Sequence, residues 1–230
     1  MSAVTRTDQN RTTVERGFQP AENGPVLWAA LCEDCGAACL VVSGGGIIQS
    51  ASRMAVELLA GGPGDYAGRP ITELLGDSVA SERAAMIEEV AASGRASSID
   101  GMVRGRMVRM TARPLAARAP GGMVLIVARP ISEDESRRPG SPTRRAHTDD
   151  MGQLETLTTR ELDILRHIGR GLSTPAIAQK LGRSVKTVEW HRVSLGEKLG
   201  VSNRVELARI AIACGLVGSG DVPAAPVGAG

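Results

Sequence analysis

Between Leu157 and Val217 the chain is cut into short helical segments by its own cap residues, and no other feature of the sequence constrains the fold as tightly. Thr158 and Glu161 stand in the T-x-x-E spacing of a capping box, ahead of an inward stripe of Leu162, Leu165 and Ile168 or Gly169 that stops at Gly171. Ser173 opens a second helix. It carries Pro175 in its first turn, where a missing N–H does no harm, and runs through Ile177, Ala178 and Leu181 to Gly182. Ser184 caps a third, reaching Gly200, with Val188, His191 or Arg192, Leu195 and Leu199 facing inward. A fourth covers about Asn203 to Cys214. Helices this short hold only by packing on one another, so the segment reads as an all-α, four-helix unit.

The joint between the second and third helices narrows the reading. Ala178 is small where two helices cross, Gly182 stands at the turn, and Val188 re-enters the core, which are the requirements of a helix-turn-helix. With Val188 and Leu195 inward, Lys186, Glu189, Trp190 and Val193 fall on the opposite face, the one such a helix offers to a DNA major groove. Charge agrees. From Leu157 to Val217 there are ten bases against five acids, a surplus of five; the overall charge is +2, so the remainder carries minus three.

Residues 157–217 carry L-T-x-R-E, then I-A-x-x-L-G-x-S-x-K-T-V-x-x-H, then K-L-G-V, then R-x-E-L. In these motifs the stretch resembles the LuxR/NarL-type DNA-binding domain over its whole length. The resemblance puts Glu189, Trp190 and Val193 at base edges, where a carboxylate accepts from cytosine and apolar groups meet a thymine methyl. It puts Lys186, Thr187 and Lys198 near phosphates; Arg183 and Arg192 are read as further phosphate contacts. Its last helix implies a dimer seam, with Leu207, Ala211 and Cys214 as the expected partners and Val205, Ala208 and Ile212 on the other apolar face. Two positions depart from the family. Ala176 replaces the usual glutamate before I-A, at a cost of about 1 kcal/mol of helix-start bonding, and Arg183 replaces a small aliphatic.

The front of the chain reads differently. Ala38–Ser43 and Ile47–Ser52 flank the turn Gly44 to Gly46 as a hairpin, and Arg53 to Gly61 is a short helix. A longer helix, Ser81 to Ser93, has Ser81 as expected N-cap, Gly94 as stop, and Ala85, Ile87, Val90 and Ala91 as its apolar face. Three strands follow. The middle one alternates Val108, Met110 and Ala112 against Arg109, Thr111 and Arg113, the period of a half-buried strand, and residues 121–131 form the buried closing strand. This order, with "ACLVVSGGGIIQSASRMAVELLAG", "YAGRPITELLG" and "TARPL", resembles a PAS domain over residues 26–131. The resemblance implies a sheet that senses a signal or dimerises.

The expected fold class is therefore α+β: an N-terminal PAS-like five-stranded antiparallel sheet with helices over 24–131, a solvated linker over 132–153, and a LuxR-type helix-turn-helix domain over 154–218. Disordered tails are expected at 1–23 and 219–230.

Other classes are set aside on chemistry. No apolar run nears the roughly 20 residues of a membrane span and no apolar signal core opens the chain, so a cytoplasmic protein without membrane contact is expected. No nucleophile and base, acid pair or phosphate loop indicates an enzyme. The acidic pair and Thr and Lys of a phosphorylated receiver are also absent. Cys32, Cys35 and Cys39 have metal-like spacing but lack a fourth nearby ligand, leaving ordinary packing, a redox switch, or a metal set completed by another chain. No cofactor is expected: the three histidines lie outside the front domain and aromatic content is 2%. The expected partners are double-stranded DNA, a second copy of the chain, RNA polymerase, and an unidentified small molecule at the PAS-like domain. The competing reading is a sigma-like module that binds DNA only within a polymerase complex.

Overall fold

Alternation along Arg106–Pro114 decides which side of the sheet is covered. Val108, Met110 and Ala112 are buried among helices, while Arg109, Thr111 and Arg113 line the other side. The computed structural model describes residues 20–115, 122–138 and 143–218. Its sheet contains β1 (Ala38–Ser43), β2 (Ile48–Ala51), β3 (Ser97–Val103), β4 (Arg106–Pro114), β5 (Met123–Pro130) and β6 (Arg144–Arg145), in the order β2-β1-β5-β4-β3-β6. The first five are antiparallel, as the PAS-like reading requires. The sixth is an addition: Arg144 and Arg145 pair in parallel with Ile99 and Asp100 of β3.

Helices α2 (Arg53–Leu59), α3 (Ile71–Leu75) and α4 (Asp77–Ser93) cover one face, burying Leu40, Ile48, Leu59, Leu75, Ile87 and Ile126 in a common core. Two sequence expectations shift here. The long helix starts at Asp77 rather than at Ser81, and its inner face is Val79, Ala80, Arg83, Met86, Ile87 and Val90, with Ala85 exposed. The extra turn places Val79 and Ala80 on the i, i+3, i+4 grid of Arg83 and Met86. The closing strand is half-buried, because only Val124, Ile126 and Ala128 face the helices. Helix α1 (Pro20–Ala29) takes in the end of the expected tail; residues 1–19 and 219–230 lie outside the described part.

The described residues of the expected solvated linker, 132–138 and 143–153, take regular structure in part. They form α5 (Glu133–Ser136), β6 and the start of a 3-10 turn at Gly152–Thr156. What holds them is polar. Asp149 accepts from the Met102 N–H (2.6 Å) and from Arg145 (2.6 Å), Glu82 accepts from the N–H groups of His147 and Thr148, and buried Arg83 donates to the Thr148 carbonyl (3.2 Å). The Asp100 carbonyl accepts from the Ala146 N–H (2.7 Å), while its buried carboxylate takes both arms of Arg109 within the sheet at 2.7 Å.

The helical part contains α6 (Thr159–Gly169), α7 (Thr174–Leu181), α8 (Val185–Leu199) and α9 (Arg204–Ala213). The caps match the sequence: Thr158 and Glu161 close a capping box, Ser173 and Ser184 accept from the third residue of their helices, and Gly182 terminates α7. Asn203 and Glu206 form a second box that the sequence reading missed. Ile164 joins the buried stripe of α6, with Leu162 only half-buried.

Sheet and helices share a second core, in which Met102, Met107 and Ile131 pack with Leu154, Leu165, Leu207, Leu216 and Val217. Backbone bonds cross the same junction. Met107 N–H donates to Cys214 (3.0 Å), Glu133 N–H to Gly215 (2.7 Å), and Gly105 N–H to Asp150 (2.8 Å). Arg166 of α6 grips Glu133 with two bonds, at 2.8 and 3.1 Å.

Candidate nucleic-acid interface

Helix α8 starts where Ser184 Oγ accepts from the Thr187 N–H (3.1 Å), and it buries Val188 and Leu195 against its neighbours. A buried charge fixes its far half. Glu161, at the start of α6, accepts from the Thr158 N–H (2.8 Å), Ser194 Oγ (2.8 Å) and Lys198 Nζ (2.7 Å). Burial alone would raise this carboxyl, but the Lys198 ammonium, the Thr158 amide and the two hydroxyls outweigh it and hold it at about 2. Glu161 was legible as a cap; its second role was missed. The signal was present, since Glu161, Ile164, Leu165 and Ile168 share the helical spacing of one buried face.

The opposite side of α8 is open. Trp190 is 65% and Val193 54% exposed, and Lys186 and Arg183 are exposed beside them. Glu189 lies at the edge of this face, its carboxylate 2.8 Å from Arg192 Nε. The Arg192 bond and the nearby Thr174 hydroxyl hold the Glu189 carboxyl below the usual carboxylate range. His191 is half-buried, its ring edge-on to Trp190 at 5.0 Å. Thr187 is half-buried and its hydroxyl pairs with Ser184 at 2.8 Å. Helical spacing on α8 thus brings Lys186, Glu189, Trp190 and Val193 to one face, with exposed Arg183 in the turn before the helix. Two expected phosphate contacts differ: Lys198 is committed to Glu161, and Arg192 to Glu189.

The expected dimer residues are corrected. Leu207, Ala211 and Cys214 are buried in the monomer at 1%, 0% and 3% exposure, so none is offered to a twin. The reason lies across the interface: Gly169 lacks a side chain where Ala211 arrives, and a Cβ there would stand 2.7 Å from that of Ala211. Of the other apolar face of α9, Val205 and Ile212 are exposed at 62% and 43%.

The cysteines do not gather into a ligand set. Cys32 and Cys39 are buried and Cys35 is exposed, and no group of three or more metal-binding side chains occurs among the described residues. Cys32 sits in a π-helical turn (Ala30–Asp34) from which the chain leads Cys35 outward, and burial pushes its thiol up to about 11. Two clefts flank α2. One, about 450 Å³, is lined by Trp28, Cys32, Ser52 and Met54; the other, about 380 Å³, by Met54, Leu58, Val127 and Pro130.

Residues 155–211 match the family described as bacterial regulatory proteins, luxR family. The C-terminal domain is a LuxR-family helix-turn-helix domain. The chain is 50% identical over 58 residues to the transcriptional regulatory protein UhpA of Escherichia coli (strain K12), a match covering 25% of this chain and 30% of UhpA. It is 42% identical over 59 residues to the oxygen regulatory protein NreC of Staphylococcus aureus (strain JH9), covering 26% of this chain and 27% of NreC. The chain thus spans under a third of the length of these curated relatives. Among solved structures, the Vibrio cholerae VqmA dimer in the absence of target DNA is 16% identical, with a TM-score of 0.40 over 86% of this chain and 92% of that one. No helix among the described residues is long and apolar enough to cross a membrane.

Proposed function

We propose that the chain is a cytoplasmic, dimeric transcription regulator that binds duplex DNA sequence-specifically through α8, with the PAS-like half supplying the signal input. One observation carries this reading. Helix α8 is anchored by Val188, Leu195 and the Glu161 network, yet leaves Trp190 and Val193 in solvent between Lys186, Arg183 and Glu189. A large aromatic exposed among cations on a braced helix fits a groove reader better than a solvated face. Base contact then falls to Glu189, Trp190 and Val193, and phosphate contact to Lys186, Thr187 and Arg183. The exposed Val205 and Ile212 face of α9 is the dimer seam in this proposal, and a small molecule bound beside α2 is the candidate signal. The shared core supports that coupling, since a shift of β4 acts directly on Cys214 at the end of α9. Nothing in the reading requires catalysis.

The test is selection of bound duplexes from a random library by the full chain, followed by titration across salt. The expected result is an enriched two-fold-symmetric site whose affinity falls steeply with salt. Absence of duplex binding at low salt overturns the reading, and binding that appears only with RNA polymerase replaces it with the sigma-like module.

A further inference from the structure

A hydrogen bond holds the Glu189 carboxylate: Arg192, one turn along α8, places Nε 2.8 Å from Glu189 Oε2. Arg204, the first residue of α9, acts on the same carboxylate electrostatically. Arg204 is itself tied down, since its guanidinium donates to the Leu172 carbonyl in the joint before α7. Lys186 and Arg183 have no such tether: both are exposed, and no ion pair is formed by either among the described residues. Arg192, by contrast, is only 33% exposed, and its guanidinium lies along its own helix.

An exposed glutamate is a poor base reader unless its side chain is held. Its rotamers must be frozen on binding, and its charge is repelled by the nearby phosphates. A guanidinium bonded to one carboxylate oxygen meets both difficulties, because it fixes the side chain and offsets the charge, and the remaining lone pairs stay free to accept. We propose that Arg192 is a positioning residue for sequence recognition: it presents Glu189 to the base edge in the major groove, and it is not a phosphate grip. The proposal rests on the DNA-binding reading above, and it assigns a specificity role to a residue that touches no base.

Charge-conserving substitution separates the two roles. A phosphate grip survives Arg192→Lys, because an ammonium is an adequate point charge for phosphate, whereas lysine lacks the planar Nε donor that meets Glu189 within one helical turn. The full chain is first used to select its preferred duplex. Affinities for that duplex and for its single-base variants are then measured across salt for wild type, Arg192→Lys, Arg192→Ala and Glu189→Gln, with helicity and melting temperature checked for each. A well-formed side chain–base pair discriminates about 5- to 140-fold. The expected result is that Glu189→Gln and Arg192→Lys both flatten discrimination at the same base position, Arg192→Lys by at least about threefold, with the salt slope of Arg192→Lys unchanged. Wild-type discrimination in both Arg192 variants, or a slope shallower by about one in Arg192→Ala with base preference intact, overturns the proposal and leaves the DNA-binding reading standing. Wild-type protein that selects no duplex overturns both.

Discussion

Gly215 is the position where the junction of sheet and helices leaves least room. Its φ of +72° lies in the left-handed region, and a Cβ added there would overlap the Ile131 carbonyl oxygen and stand 2.9 Å from Met107 Cβ. Both neighbours belong to the sheet side, and Met107 and Glu133 donate across this same contact to Cys214 and Gly215. Replacing Gly215 with alanine costs about 1 kcal/mol for the left-handed backbone alone. Moving apart to admit the methyl group breaks the two backbone bonds, at about 1 kcal/mol each. The sum, about 3 kcal/mol, corresponds to a fall in melting temperature of roughly 6 to 12 °C for a protein of this size. Gly200 supplies the control, with a φ of +68° and no atom within 4 Å of its virtual Cβ. Gly200→Ala should therefore show only the backbone part, roughly 2 to 4 °C. Thermal unfolding by circular dichroism measures both shifts, and hydrogen exchange at the Met107 and Glu133 amides locates the loss. Equal shifts for the two variants, or a Met107 amide still protected in Gly215→Ala, would refute the account of the junction as a shared, tightly fitted core.

The Glu161 network predicts a pH limb. Its folded carboxyl lies at about 2 against an ordinary 4.5, so ionisation contributes about 3 kcal/mol that is present above about pH 5 and lost as pH falls from 4.5 through 2. Glu161→Gln should cost about 2 to 3 kcal/mol at neutral pH and flatten that limb in melting-temperature profiles. On α9, Leu207→Ala should cost about 2 to 5 kcal/mol as a core truncation, whereas Ile212→Glu should change stability by under about 0.5 kcal/mol yet weaken self-association in sedimentation velocity. An unaltered dimer in Ile212→Glu would place the seam elsewhere. Under native conditions a thiol reagent should modify Cys35 quickly and Cys32, Cys39 and Cys214 slowly, since burial raises all three of the latter. Two or more fast thiols would contradict the burial.

What sequence reading reached and what it missed divide along a physical line. Periodicity and caps are local, and they located the alternating face of β4, the helix starts at Ser173 and Ser184, and the outward side of α8 with Trp190 and Val193. Residues 132–153 show almost no apolar side chains, and so read as solvated. The described ones among them are held instead by Asp149, Glu82, Arg83 and the Asp100 carbonyl, in contacts between residues far apart in the chain. Such pairings have no period to detect. The same limit applies inside the site. That Lys186 and Lys198 both sit on α8 is visible in the sequence, but that Lys198 turns inward to Glu161, 37 residues away, is a property of the assembled helices.

The two faces of α9 make the point most sharply. Val205, Ala208 and Ile212 match Leu207, Ala211 and Cys214 in apolar character, so helical period alone assigns neither to the monomer core. The deciding residue is Gly169 on a different helix. With no side chain of its own, it lets Ala211 approach to a distance that any Cβ would forbid, and Val217 closes over the same spot at 3.0 Å. Once that contact forms, the helix rotation is fixed, Leu207 and Cys214 follow Ala211 inward, and Val205 and Ile212 are turned to solvent. A dimer seam proposed from apolar content must therefore be chosen by complementarity of small against small across the core, and only then by which face is left over.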